Sequence, residues 1–115
     1  MAFEVIVTET FRDWYEDLTE PEQDSVGFVV DLLQEAGPAL AHPYSSGING
    51  SRFQHMRELR IQHKGRPFRV LYAFDSVRRA LLLIGGDKTG NDRWYDKAIP
   101  KADALYAAHL KDLKQ

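Results

Sequence analysis

The chain contains no cysteine. A disulfide framework and a thiolate zinc site are therefore excluded. Its longest apolar runs are five residues, far short of the about 20 that a membrane-crossing helix needs. Met1-Ala2-Phe3-Glu4 lacks the basic stretch and apolar run of a secretory signal, so a cytoplasmic location is expected. Histidine is scarce: His42, His55, His63 and His109. None is spaced with a carboxylate as metal ligands are, so neither a metal nor another cofactor is expected. Basic residues are nearly missing from residues 1–51, where Arg12 stands against ten acids.

What is present fits one domain spanning residues 1–115. A hydrophobic share of 43% is enough for a single core, and 28% charged residues argue against disorder. The net charge of −2 conceals an asymmetry: −9 over residues 1–51, +6 over 52–93 and +1 over 94–115. Local potential governs binding to phosphates more than total charge does. The middle block is thus the place to look for a polyanion-binding surface.

That block reads as three strands with short polar turns. Arg57-Glu58-Leu59-Arg60-Ile61 comes first, then Phe68 to Phe74, then Ala80 to Ile84. Strands favour β-branched and aromatic residues, so Arg57, Arg60 and Arg69 are unusual guests. Phe3 to Val7 reads as an earlier strand. Phe11, Trp14, Tyr15 and Leu18 recur at helical spacing after a cap at Thr8 or Thr10. Thr19 and Glu22 form a capping-box pattern with Pro21 in the first turn. The helix that follows carries Val26, Val29, Val30 and Leu33 and stops at Gly37-Pro38. Residues 38–55 read as a long loop. Asp92 is a candidate cap for a last helix, with Pro100 expected to kink or break it. Consecutive strands imply antiparallel pairing. The expected class is α+β: a strand and helical hairpin, a mainly antiparallel twisted sheet, and a C-terminal helix. Both sets of helices are expected on one face of that sheet.

Side-chain alternation separates Phe68, Val70, Tyr72 and Phe74 from Arg69, Leu71 and Ala73. A core under the first set would leave Arg69 on an open face. The alternative for Arg69 is a salt bridge, with Glu58 or an acid of the hairpin. Arginine suits phosphate because its planar fork offers paired donors. Arg60 is open between ligand and structural roles. Arg57, Lys64 and Arg66 are either phosphate contacts or solvated charges. His63, at the end of the Arg-bearing strand, is the best-placed histidine for proton transfer. Trp94 and Tyr95 either stack a base or pack the last helix.

Glu58-Leu59-Arg60, Gly65, Phe68-Arg69-Val70-Leu71-Tyr72-Ala73-Phe74, Leu82-Leu83-Ile84-Gly85-Gly86 and Lys88-Thr89 follow one another at family spacing. In that order they resemble the RelE/ParE toxin superfamily, in its HigB-like, phage Gp49-like branch. The resemblance implies a RelE-like α+β toxin of a type II toxin–antitoxin pair. Most such toxins cleave mRNA, commonly on the ribosome; ParE-like relatives poison DNA gyrase. It also implies a helix-turn-helix (HigA-like) antitoxin encoded nearby as partner. Arg60 and Arg69 fall at the family's basic catalytic positions, and Lys88 near the basic position after the last strand. Asp87 and Asp92 dilute the positive charge usual there. A non-toxic binding or regulatory member of the same fold is the third reading.

Overall fold

The computed structural model describes residues 2–114. The chain runs β1 (Val5–Val7), α1 (Glu9–Glu16), α2 (Glu20–Ala36), β2 (Ser45–Gly47), β3 (Arg57–His63), β4 (Arg66–Phe74), β5 (Ala80–Asp87) and α3 (Trp94–Leu113). A short 3-10 turn, Gly37–Ala39, follows α2. The five strands form one sheet in the order β1-β5-β4-β3-β2. β1 runs parallel to β5, and the other pairs are antiparallel. The class is α+β, as the order of elements predicted.

The helix starts follow from local chemistry. Thr8 caps α1 by accepting from the Phe11 amide, and its own hydroxyl donates to the Leu83 carbonyl 2.6 Å away. That second bond ties the helix start to β5. In α2 the capping box is complete, with Thr19 and Glu22 each accepting from the other's backbone amide. For α3 the expected cap at Asp92 is not used. Arg93 holds the cap position without a side-chain bond, and its amide donates to Asn91. Pro100 does not divide α3, which runs unbroken through it. A proline removes only one backbone bond there, and burial of Ala98, Ile99, Ala102 and Tyr106 holds both sides of it to the sheet.

The helices cover both faces of the sheet, which corrects the one-face expectation. The hairpin α1/α2 packs on Leu59, Ile61, Phe68, Val70, Tyr72 and Leu82. α3 packs on Leu71, Ala73, Leu81 and Leu83. The sheet is thus the middle of three layers. β4 is buried on both sides almost throughout, as its apolar residues at both parities require. Gly85 and Gly86 serve this sandwich directly. A side chain at Gly85 would collide with Trp14 of the hairpin layer, and one at Gly86 with Trp94 of the α3 layer. Each glycine lets one indole lie flat against β5 from its own side. A register shift leaves Leu83 without a partner on β4, since Leu71 pairs with Ile84 and Tyr72 with Leu82.

Candidate functional site

The register of β3 against β4 sets Arg60 directly across from Arg69 and Glu58 across from Leu71. Side chains opposite one another share a face, so Glu58, Arg60 and Arg69 all lie on the α3 face. Glu58 is the hub. Its Oε1 accepts from the Tyr95 hydroxyl at 2.5 Å. Its Oε2 accepts from Ser46 and from Arg60 Nη1, each at 3.0 Å. Arg69 Nε lies 3.7 Å from Oε1, too far for a hydrogen bond. Arg69 Nη1 donates to the Phe68 carbonyl at 2.9 Å.

Two guanidiniums therefore share one carboxylate, leaving a formal charge of +1 on the trio. Lys88 adds another: its ammonium lies 5.6 Å from the centre of the Tyr95 ring. Arg69 is only 5% exposed, and its Nε is buried without a hydrogen-bond partner. Burying such a donor is costly unless something satisfies it. Burial pushes the Tyr95 hydroxyl above its ordinary pKa of 10.0, the bond to Glu58 and its charge add to this, and Arg69 opposes it. Tyr95 therefore stays protonated at neutral pH and keeps donating.

The guanidiniums open on a groove of about 600 Å³ that runs past the β3 edge to α2. Beyond Ser45 the strand β2 is not continued, and the chain before it lines the groove with His42, Pro43 and Tyr44. Asp24, Ser25, Phe28 and Val29 of α2 form the far wall. Phe28 and Tyr44 meet edge to face, with ring centres 6.1 Å apart.

Of the residues the sequence singled out, Arg60, Arg69, Lys88 and Trp94 come together on the α3 face. Trp94 lies over Gly86, the β5 partner of Arg69. The others do not join them. His63 is a correction: alternation puts it on the hairpin face, where its ring is buried. Its Nδ1 lies 2.7 Å from Ser25 Oγ and it stacks on Phe68. Arg57 shares that face and donates to Ser45, which bonds Tyr72. Arg66 spans Glu22 and Asp87 and lies over the Phe68 ring. Lys64 sits exposed at the tip of the β3–β4 turn, with a φ of 51° beside Gly65 at 80°. Among the described residues, no cluster of His, Asp and Glu is arranged to hold a metal ion.

Sequence reasoning passed over Ser46, His42, Tyr44 and Phe28. The groove histidine is His42, not His63. The pairing of Ser46 with Glu58 depends on β2, which lies inside a segment that reads as loop. Phe28 was legible as an anomaly, a large aromatic off the apolar stripe of α2.

Three layers around a five-stranded mixed sheet, with a groove at the sheet's edge that two guanidiniums line, define a small α+β domain. Residues 13–107 match the family of phage-derived Gp49-like proteins, and the chain belongs to that family. Two Mycobacterium tuberculosis proteins are similar to it. "Putative toxin HigB3" is 44% identical over 100 residues, covering 86% of each chain. "Putative toxin HigB2" is 38% identical over 104 residues, which cover 89% of this chain and 52% of that protein.

Proposed function

We propose that this protein is the toxin of a type II toxin–antitoxin pair and that it cleaves mRNA, on the ribosome, in the cytoplasm. Its family and the names of its relatives support the toxin class. The observation that carries the nuclease reading is the pair of facing guanidiniums with one carboxylate between them. Both guanidiniums line the same groove of about 600 Å³.

In this mechanism Arg60 and Lys88 grip the scissile phosphate. Arg69, fixed behind them, stabilises the negative charge growing on its oxygens. The ribose 2′-oxygen attacks phosphorus and the bond to the 5′-oxygen breaks. The products are a 2′,3′-cyclic phosphate and a free 5′-hydroxyl. The 2′-hydroxyl proton passes to a base, and the leaving oxygen receives a proton. His42, which lines the groove, is the side chain this mechanism assigns to that transfer. Glu58 is not: its oxygens already serve Ser46, Arg60 and Tyr95. Its role is to hold the two guanidiniums side by side. The partner is a helix-turn-helix antitoxin (HigA-like), which silences the toxin by covering the cationic groove.

Controlled expression should arrest growth and shorten transcripts, with 5′-hydroxyl ends at the new termini. Arg60→Gln, at a half-exposed position, should abolish both while leaving the fold intact. Unchanged RNA with undisturbed translation would overturn the proposal. A ParE-like gyrase inhibitor is the second reading, favoured by the saturation of Glu58, whose oxygens already serve Ser46, Arg60 and Tyr95. Inhibited supercoiling beside intact mRNA would select it.

A further inference from the structure

The far end of the groove carries a feature that phosphate binding does not use. Phe28 is 56% exposed and Tyr44 36% exposed, and both line the groove that Arg60 and Arg69 line. Among the described residues, only one other large hydrophobic side chain is exposed, Val77 in the β4–β5 turn. The core does not require Phe28 there: the buried face of α2 is Val26, Val29 and Leu33. An exposed aromatic pair at the mouth of a cleft marks a ligand with an apolar face.

The charge of the groove is also graded. Its α2 wall carries Asp24, while its sheet wall carries the guanidiniums. An anion is repelled from the first end and held at the second. A ligand seated along this gradient places a phosphate at Arg60 and a neutral, flat group at the rings. Nucleotides combine those two parts within one residue. Base–aromatic stacking is sequence-tolerant and adds to backbone contacts.

We propose that Phe28 and Tyr44 form a nucleobase subsite, which takes an unstacked base of single-stranded RNA next to the phosphate held at Arg60. This rests on the nuclease reading for the identity of the anion and extends it by naming where a base is bound. The strand enters over α2, its base leaves the stack to lie against the aromatic pair, and its phosphate reaches the guanidiniums. Asp24 turns the backbone away from the α2 wall.

The test separates binding from cleavage. The probes are fluorescent 2′-O-methyl RNA hexamers, which lack the attacking hydroxyl, either complete or with one abasic position placed in turn along the strand. Wild type should bind the complete hexamer about tenfold more tightly than the weakest abasic one, within the range of about 1–3 kcal/mol that base–aromatic stacking contributes. Phe28→Ala and Tyr44→Ala should each shrink that ratio towards unity. Each should retain most of the salt-dependent affinity that Arg60→Gln loses. Both positions are exposed at the surface, so folding should survive and is checked by the thermal transition.

An unchanged abasic penalty in both variants would overturn the subsite, as would loss of antitoxin binding alone, which would make the aromatic pair a protein-docking patch. The two proposals fail differently. Base discrimination without any RNA cleavage would leave the subsite standing and remove the nuclease. Cleavage without base discrimination would do the reverse.

Discussion

Replacing Glu58 with glutamine tests the electrostatics of the cluster most sharply, because stability and anion affinity should move in opposite directions. The change keeps the side chain's shape and one acceptor oxygen but removes the charge. Arg69, with 6% of its side chain exposed, then loses the charge of its carboxylate neighbour. Removing one partner of a buried ion pair costs about 3–5 kcal/mol. Here the cost sits lower, because Arg69 Nε and Glu58 are 3.7 Å apart without a hydrogen bond and Arg60 is half in water. A loss of about 2–3 kcal/mol is expected, a large part of the about 5–15 kcal/mol that holds a domain together. At about 4 °C per kcal/mol for a chain this size, the thermal midpoint should fall by about 8–12 °C. Urea titration should show the same loss as a lower midpoint with unchanged slope. Meanwhile the formal charge of the trio rises from +1 to +2, so affinity for an RNA hexamer should increase and its salt dependence steepen. Pairing Glu58→Gln with Arg69→Met, which removes the orphaned charge, should restore much of the lost stability. A single variant as stable as wild type would refute the claim that Glu58 holds Arg69 in place, as would weakened RNA binding at preserved stability.

Gly86→Ala should push Trp94 off β5 and cost about 1–3 kcal/mol, read by denaturant titration and by a shift in tryptophan emission; an unchanged spectrum would contradict the packing. Tyr95→Phe should cost about 1 kcal/mol by removing one hydrogen bond to Glu58, with little change in salt-dependent RNA affinity. Acid should loosen the tie between α2 and the sheet. The Glu22 carboxyl is held at about 2 rather than its ordinary 4.5, by the Thr19 amide first and by Arg66 second. A depressed carboxyl stabilises fully above its unfolded value and loses this as pH falls through the folded one. Wild type should therefore lose stability between about pH 4.5 and 2. Glu22→Gln should flatten that part of the profile, and an equally steep loss in the variant would refute the assignment.

The sequence disclosed the fold where one residue pattern had one physical solution. Thr19, Pro21 and Glu22 start α2 as a capping box must. Lys64-Gly65 makes the tight turn that joins β3 to β4. The layering was harder, because α3 covers a face that the arginines made look open. Leu71 and Ala73 were the available signal: they sit at the parity of Arg69 and must be buried by something. The partnership of Glu58 with Arg60 was legible from their spacing of two along a strand. Glu58 was also an available carboxylate partner for Arg69. His63 lies on the opposite face from Arg60 for the same reason of parity, since it is one position out of phase with it. The groove's far wall was not legible. It depends on how α2 crosses the end of β3, and no local pattern specifies that crossing. Phe28 was visible as an aromatic off the apolar stripe of α2, but its place in a groove was not.

The central claim is that Arg60 and Arg69 hold an RNA phosphodiester for cleavage. The most direct measurement maps the 5′ ends of an mRNA on programmed ribosomes, comparing purified wild-type protein with Arg60→Gln. The account predicts new 5′-hydroxyl ends with wild type and none with the folded variant. Equal cleavage by both proteins, or an mRNA left whole by wild type, would contradict it.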